Sequence, residues 1–204
     1  MQYLEKYRYQ AVNLSLAALE GVIFLLCVLP FPGDLLYDYG EMHARLVFEQ
    51  GQYWRLITSI FLHAGVEHLG SNLLMQVMLG GPAERNLGHI RYFIVFMASG
   101  ICGNLLSAAW DYRIGVFRYS VGASGAIFGV MGVVVVMVIM GRKQVKQGTS
   151  LMVRAGLALF YSVYSGFASP NTDNAAHIGG LITGLLLGAL FLSRRDEIDL
   201  RDLR

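Results

Sequence analysis

Apolar residues run through the chain in long stretches rather than in a one-sided helical stripe or a strand-like alternation. Six stretches stand out: 11–30, interrupted by Glu20, then 69–83, 92–110, 119–141, 155–172 and 174–193. A helix needs about 20 apolar residues to cross a hydrocarbon core ~30 Å thick, and all but 69–83 come near that length. The pattern predicts an all-α membrane protein with helices over 11–30, 68–83, 92–110, 124–141, 153–170 and 175–193. These form one membrane domain over 1–204, with no linker, repeat or separate soluble domain. The only long connection is 31–67, which holds Asp34, Asp38, Glu41, Glu49, Glu67 and several aromatics. A loop of that length inside a compact membrane domain is expected to be functional and partly embedded.

Composition supports the membrane reading. Hydrophobic residues make up 55% of the chain and charged residues only 15%, against about 25% charged in soluble domains. Too few charges are present to build a soluble surface. The 24 glycines suit close packing of membrane helices. A net charge of +2 gives no reason to expect a nucleic-acid partner. Cys27 and Cys102 lie in apolar stretches and read as small core residues rather than as a disulfide. The first apolar run ends in Pro30-Phe31-Pro32 with no small-residue cleavage site, so it reads as a retained helix.

Orientation follows from the cations. With six spans, one side carries Lys6, Arg8, Arg85, Arg91, Arg142, Lys143, Lys146, Arg154, Arg194, Arg195, Arg201 and Arg204. The other carries Arg45, Arg55, Arg113 and Arg118. Both termini are therefore expected in the cytoplasm of a multi-pass cell-membrane protein.

In that topology the second, fourth and sixth helices run from outside to inside, and each begins with unusual polar groups. The second opens with His68 and Asn72, four residues apart and on one face. Ser124 stands in Gly122-Ala123-Ser124-Gly125, and His177 in Ala176-His177-Ile178-Gly179-Gly180. At 1.5 Å per residue from the inner ends, Ser124 lies ~26 Å up, His177 ~24 Å, His68 ~22 Å and Asn72 ~16 Å. A hydroxyl, an imidazole and two hydrogen-bond donors at one level are the parts of a serine hydrolase. Each part alone has a plainer reading. Gly-x-Ser-Gly is also a packing motif, a lone membrane histidine is also a proton relay or structural partner, and His63 and His68 also suit an interface.

Together these residues carry a resemblance to the rhomboid intramembrane serine proteases that covers nearly the whole chain. It rests on Trp54-Arg55, His63, His68-x-x-x-Asn72, Gly80-Gly81-Pro82-Ala83-Glu84, Gly122-x-Ser124-Gly125 and Asn174-Ala175-Ala176-His177-x-x-Gly180, in that order. The resemblance implies the minimal six-helix bacterial form. It also implies cleavage of transmembrane segments of other proteins near their outer ends, in a site open to the outer side. Ser124 would be the nucleophile and His177 the general base, a dyad without a carboxylate, with Asp173 expected at the surface. His68, Asn72 and the backbone at Ser124 and Gly122 would stabilise the oxyanion. Phe128 stands where many relatives have Tyr, so its ring would pack on His177 without a hydrogen bond. Gly125, Gly180 and Gly184 would support close approach of helices. Trp54, Arg55 and Glu84 would be structural, and His63 a loop-bracing hydrogen-bond partner. The helix near 155–172 would be a lateral gate, and Glu20 has no assigned role.

No Cys/His cluster, HExxH or carboxylate pair points to a metal, and no cofactor is expected. The partners implied are transmembrane protein substrates and the lipid bilayer. An inactive client-binding relative usually lacks the serine or the histidine, whereas both are present here. A transporter would show internal repeats or paired broken helices, and neither is visible. A purely structural membrane protein has no need of four converging polar groups.

Overall fold

A computed structural model describes residues 9–141, 156 and 172–193. The predicted helix over 153–170 lies outside these residues, apart from Gly156. Helix α1, Ala11–Val28, ends two residues earlier than predicted. The residue before a proline is pushed to extended geometry, and Leu29, before Pro30, adopts φ −76° and ψ 140°. The long connection is built rather than loose. It contains α2 (Pro30–Gly40), the two-residue strand β1 (Met42–His43), α3 (Ala44–Gln50), α4 (Arg55–Thr58) and a 3₁₀ turn at Ser59–Phe61. Then follow α5 (Val66–Leu87), α6 (His89–Ile114), β2 (Tyr119–Ser120), α7 (Ser124–Gly141) and α8 (Asn174–Leu192).

Two helices are longer than predicted. Helix α5 runs beyond both ends of 68–83 because its first and last turns carry Glu67, Glu84 and Arg85, which an apolar count rejects. Helix α6 extends past 92–110 for the same reason, through Arg91 at one end and Asp111 and Arg113 at the other. The C-terminal extension is anchored, since Arg118 Nη2 donates to Asp111 at 2.9 Å. Helix α7 has the predicted bounds, and α8 is displaced by one residue.

Among the described residues α1, α6 and α8 are each long and apolar enough to cross a membrane, and α7 carries a shorter apolar run over Ser124–Met140. The chain is a multi-pass membrane protein. Helix α7 is its central post. Ala126, Val130, Val133, Val134 and Met137 are fully buried, the behaviour of a helix hydrophobic all round. Its most extensive contact is with α8, followed by α6 and α5. Helix α1 is peripheral and buries a single stripe of Asn13, Leu16 and Glu20 against α5. Its Leu25 and Val28 face outward, as side chains in lipid do. Both cysteines are free thiols, and the core placement expected for them does not hold: Cys27 is half-buried and Cys102 exposed. An apolar position facing lipid looks the same in sequence as one facing the core.

Polar contacts hold the connection in place. Arg55 donates to the carbonyls of Glu41 and Asp38, both at 2.7 Å, and Trp54 Nε1 donates to the Tyr39 carbonyl at 3.0 Å. Strand β1 pairs antiparallel with β2, Met42 opposite Ser120 and His43 opposite Tyr119. Burial pushes His43 below the usual imidazole range, which suits its Nδ1 to accept the Leu46 N–H at 3.4 Å and start α3. Glu84 closes the other end of the molecule. Its carboxylate accepts the N–H groups of Val12 at 3.0 Å and Asn13 at 2.8 Å and also meets His89 Nδ1. First-turn N–H groups have no intrahelical acceptor and favour an anion. A glutamate on α5 thus caps α1.

Candidate active site

Helix α7 begins at Ser124, and Gly122, two residues before it, approaches a histidine closely. Gly122 has φ +128°, and a Cβ there would lie 2.7 Å from His68 Cε1 and 2.8 Å from Nε2. Only glycine fits such a conformation at such a distance. The Gly122 N–H donates to the Ser59 carbonyl at 2.9 Å. Ser59 is held in turn: its hydroxyl donates to the Arg55 carbonyl at 2.6 Å and accepts from Asn104 Nδ2 at 2.9 Å. Asn104 also donates to the Leu56 carbonyl at 2.9 Å. The approach to Ser124 is thereby fastened to both α6 and the long connection.

His177 lies in the first turn of α8, which Asp173 organises. Its Oδ1 accepts the Ala176 N–H at 3.0 Å, a side-chain N-cap. Its Oδ2 accepts the Ser107 hydroxyl from α6 at 2.5 Å. Asp173 is therefore half-buried and structural, not a free surface group as expected. Asn104 and Ser107 passed unnoticed in the sequence. Both are polar interruptions three residues apart in an apolar run, a spacing that shares one helix face.

Glycines bring α7 and α8 together. A Cβ at Gly180 would land on the Gly125 carbonyl, and one at Gly184 on the Gly129 carbonyl. Gly132 lies under α8, where a Cβ would be 2.7 Å from the Leu185 nitrogen and 2.8 Å from the Leu181 oxygen. Backbone thus packs on backbone, as in small-xxx-small helix pairs. At that spacing Ser124 Oγ and His177 Nε2 are 2.9 Å apart, within hydrogen-bond distance. The Phe128 ring stacks on the imidazole, with centroids 4.1 Å apart and planes 10° from parallel. Among the described residues no carboxylate bonds to the His177 ring.

His68 and Asn72 flank the other side. Asn72 Nδ2 donates to the His68 carbonyl at 2.8 Å; an amide carries two N–H bonds, so one remains. The Ala64 N–H donates to His68 Nδ1 at 3.5 Å, which puts the ring proton on Nε2, the nitrogen beside Gly122. Gly122 itself does not fit the oxyanion role, because its N–H is committed to Ser59. The Ser124 N–H opens a helix, where intrahelical acceptors are lacking. His63 is fully buried, and its hydrogen bond to the loop runs through main chain rather than through the ring. Neither ring nitrogen makes a hydrogen bond, and it is the His63 carbonyl that accepts from the Tyr37 hydroxyl at 2.5 Å. The described residues contain no group of three or more His, Cys, Asp or Glu arranged to hold a metal.

Residues 50–194 match the family model for the Rhomboid domain. The chain belongs to the rhomboid family. This rhomboid is 37% identical over 194 residues to "Putative rhomboid protease YdcA" of Bacillus subtilis, covering 93% of each chain. It is also 37% identical over 158 residues to Rhomboid protease GluP of the same organism, covering 76% of this chain and 29% of that one. RHOMBOID-like protein 1 of Arabidopsis thaliana is 34% identical over 159 residues, with 78% and 40% covered.

Proposed function

We propose that this rhomboid is an intramembrane serine endopeptidase that cleaves transmembrane segments of other membrane proteins near their outer ends. The 2.9 Å approach of Ser124 Oγ to His177 Nε2 carries the reading, and relatives named as rhomboid proteases support it. In this mechanism Nε2 accepts the hydroxyl proton as Oγ attacks the scissile carbonyl. The tetrahedral oxyanion then receives hydrogen bonds from the free Asn72 N–H, the His68 Nε2–H and the Ser124 N–H. The imidazolium returns its proton to the leaving amine, and water, deprotonated by the same nitrogen, hydrolyses the acyl-enzyme. The Phe128 face lies against His177 and favours its cationic form, in place of the carboxylate of a triad. The cation distribution supports a site open to the outer side, with both termini cytoplasmic.

Purified protein in liposomes, offered a panel of transmembrane substrates, tests this directly. Ser124→Ala and His177→Ala are each expected to abolish cleavage, and the double variant to be no worse than either, because such residues act as a unit. Undiminished cleavage by Ser124→Ala protein would overturn the serine mechanism.

A further inference from the structure

Glu20 lies on a membrane-crossing helix and is completely buried. An ionisable group in that setting persists only with a partner and a purpose. On the α5 side its partner is Gln76: with the amide nitrogen turned towards the carboxyl, it lies 2.9 Å from Oε1 and 3.3 Å from Oε2. On the other side is His63, whose Nε2 is 3.9 Å from Glu20 Oε2. Both side chains are wholly shielded, and both His63 ring nitrogens lack a hydrogen bond. A buried donor left open is costly, and each such case calls for an explanation. A shift of about 1 Å closes the gap to hydrogen-bond distance.

The pair leads somewhere. The His63 ring meets the His68 ring edge to face, with centroids 5.3 Å apart and planes at 67°. His68 in turn covers Gly122, two residues before Ser124. A line of contacts therefore runs from Gln76 and Glu20 through His63 to the His68 ring. We infer that Glu20 is a positioning residue for the oxyanion site: its carboxyl accepts the His63 Nε2–H, and the His63 ring so fixed holds His68 with Nε2–H facing the reacting carbonyl. The inference rests on the oxyanion role given to His68 above.

Two measurements test it. The first is a kinetic cycle in liposomes. Glu20→Leu and His63→Phe are each expected to lower kcat about 10- to 100-fold, the scale of an ångström misplacement, with KM unchanged. Glu20→Asp, which keeps the acceptor, is expected to recover part of the loss. In a His68→Ala background neither change should reduce kcat further, since their target is already gone. If Glu20→Leu lowers kcat equally with and without His68, its role is general packing and the inference fails. Wild-type kcat in Glu20→Leu also overturns it. If the wild-type protein cleaves nothing, the protease reading fails instead. The second measurement needs no activity. Nitrogen-15 spectra of the histidine rings should show His63 protonated on Nε2, and that signal should shift in Glu20→Leu but persist in Ser124→Ala. A His63 protonated on Nδ1, indifferent to Glu20, would refute the pairing even if kinetic variants fail to fold.

Discussion

Replacing Gly184 with alanine places a methyl group inside the α7–α8 joint. The new Cβ would coincide with the Gly129 carbonyl and lie 2.5 Å from both the carbonyl carbon and Cα of Gly129. Carbon atoms rest about 3.5 Å apart. The helices must therefore separate by about 1 Å, because main chain cannot rotate away as a side chain would. His177 sits seven residues up the same helix, and a rigid displacement carries it along. The 2.9 Å distance between Ser124 Oγ and His177 Nε2 would open to about 3.9 Å, beyond hydrogen-bond reach. Misplacement on this scale costs up to ~10²-fold in rate, so kcat is expected to fall at least about tenfold, and further with valine. The assay is turnover of a fluorogenic transmembrane substrate in liposomes, normalised to the folded fraction from thermal melts. Gly21→Ala on α1 is the control, since a Cβ there meets nothing within 4 Å. Folded Gly184→Ala protein with wild-type kcat would refute the argument that this joint sets the distance between the two groups.

Other outcomes follow from the same geometry. His68→Ala and Asn72→Ala should each slow turnover roughly 10- to 1000-fold with KM unchanged, as befits groups acting on the transition state; a rise in KM alone would make them substrate contacts. Glu84→Ala leaves the N–H groups of Val12 and Asn13 without their acceptor and should destabilise by about 1–3 kcal/mol, seen as a lower Tm. A cysteine at Ser120 should react with a membrane-impermeant reagent applied to intact cells, and one at Gln147 should not; labelling of both would contradict the six-span topology.

The parts most legible in the sequence were those that helix periodicity projects directly. Taking His177 as zero at 100° per residue, Gly180, Gly184 and Gly188 fall at about −60°, −20° and +20°. Those are the positions found against α7. The ring contact of Phe128 followed from its place one turn after Ser124. Less legible was whatever depends on how separate elements meet. Nothing in the chain around Glu20 announces that Gln76 and His63 will close over it. Asp173 read as a surface residue because its Ser107 partner lies 66 positions away. The β1–β2 pairing is only two residues long, too short for an alternation of hydrophobicity to register. Charged end turns hid the true lengths of α5 and α6, because a polar residue that finds a partner looks, in sequence, like a boundary.

The joint between α7 and α8 also bears on how such a protein diversifies. At Gly125 with Gly180, and at Gly129 with Gly184, the touching surfaces are peptide groups. Main chain has no alphabet: every variant of the joint that keeps its spacing is chemically the same joint. Ser124 and His177 are held by a part that substitution can break but cannot tune. Novelty has to be written in residues that carry side chains, such as those of the 31–67 connection and the lipid-facing flanks. The spacing of the two groups can be inherited unchanged while the surfaces a client meets drift freely.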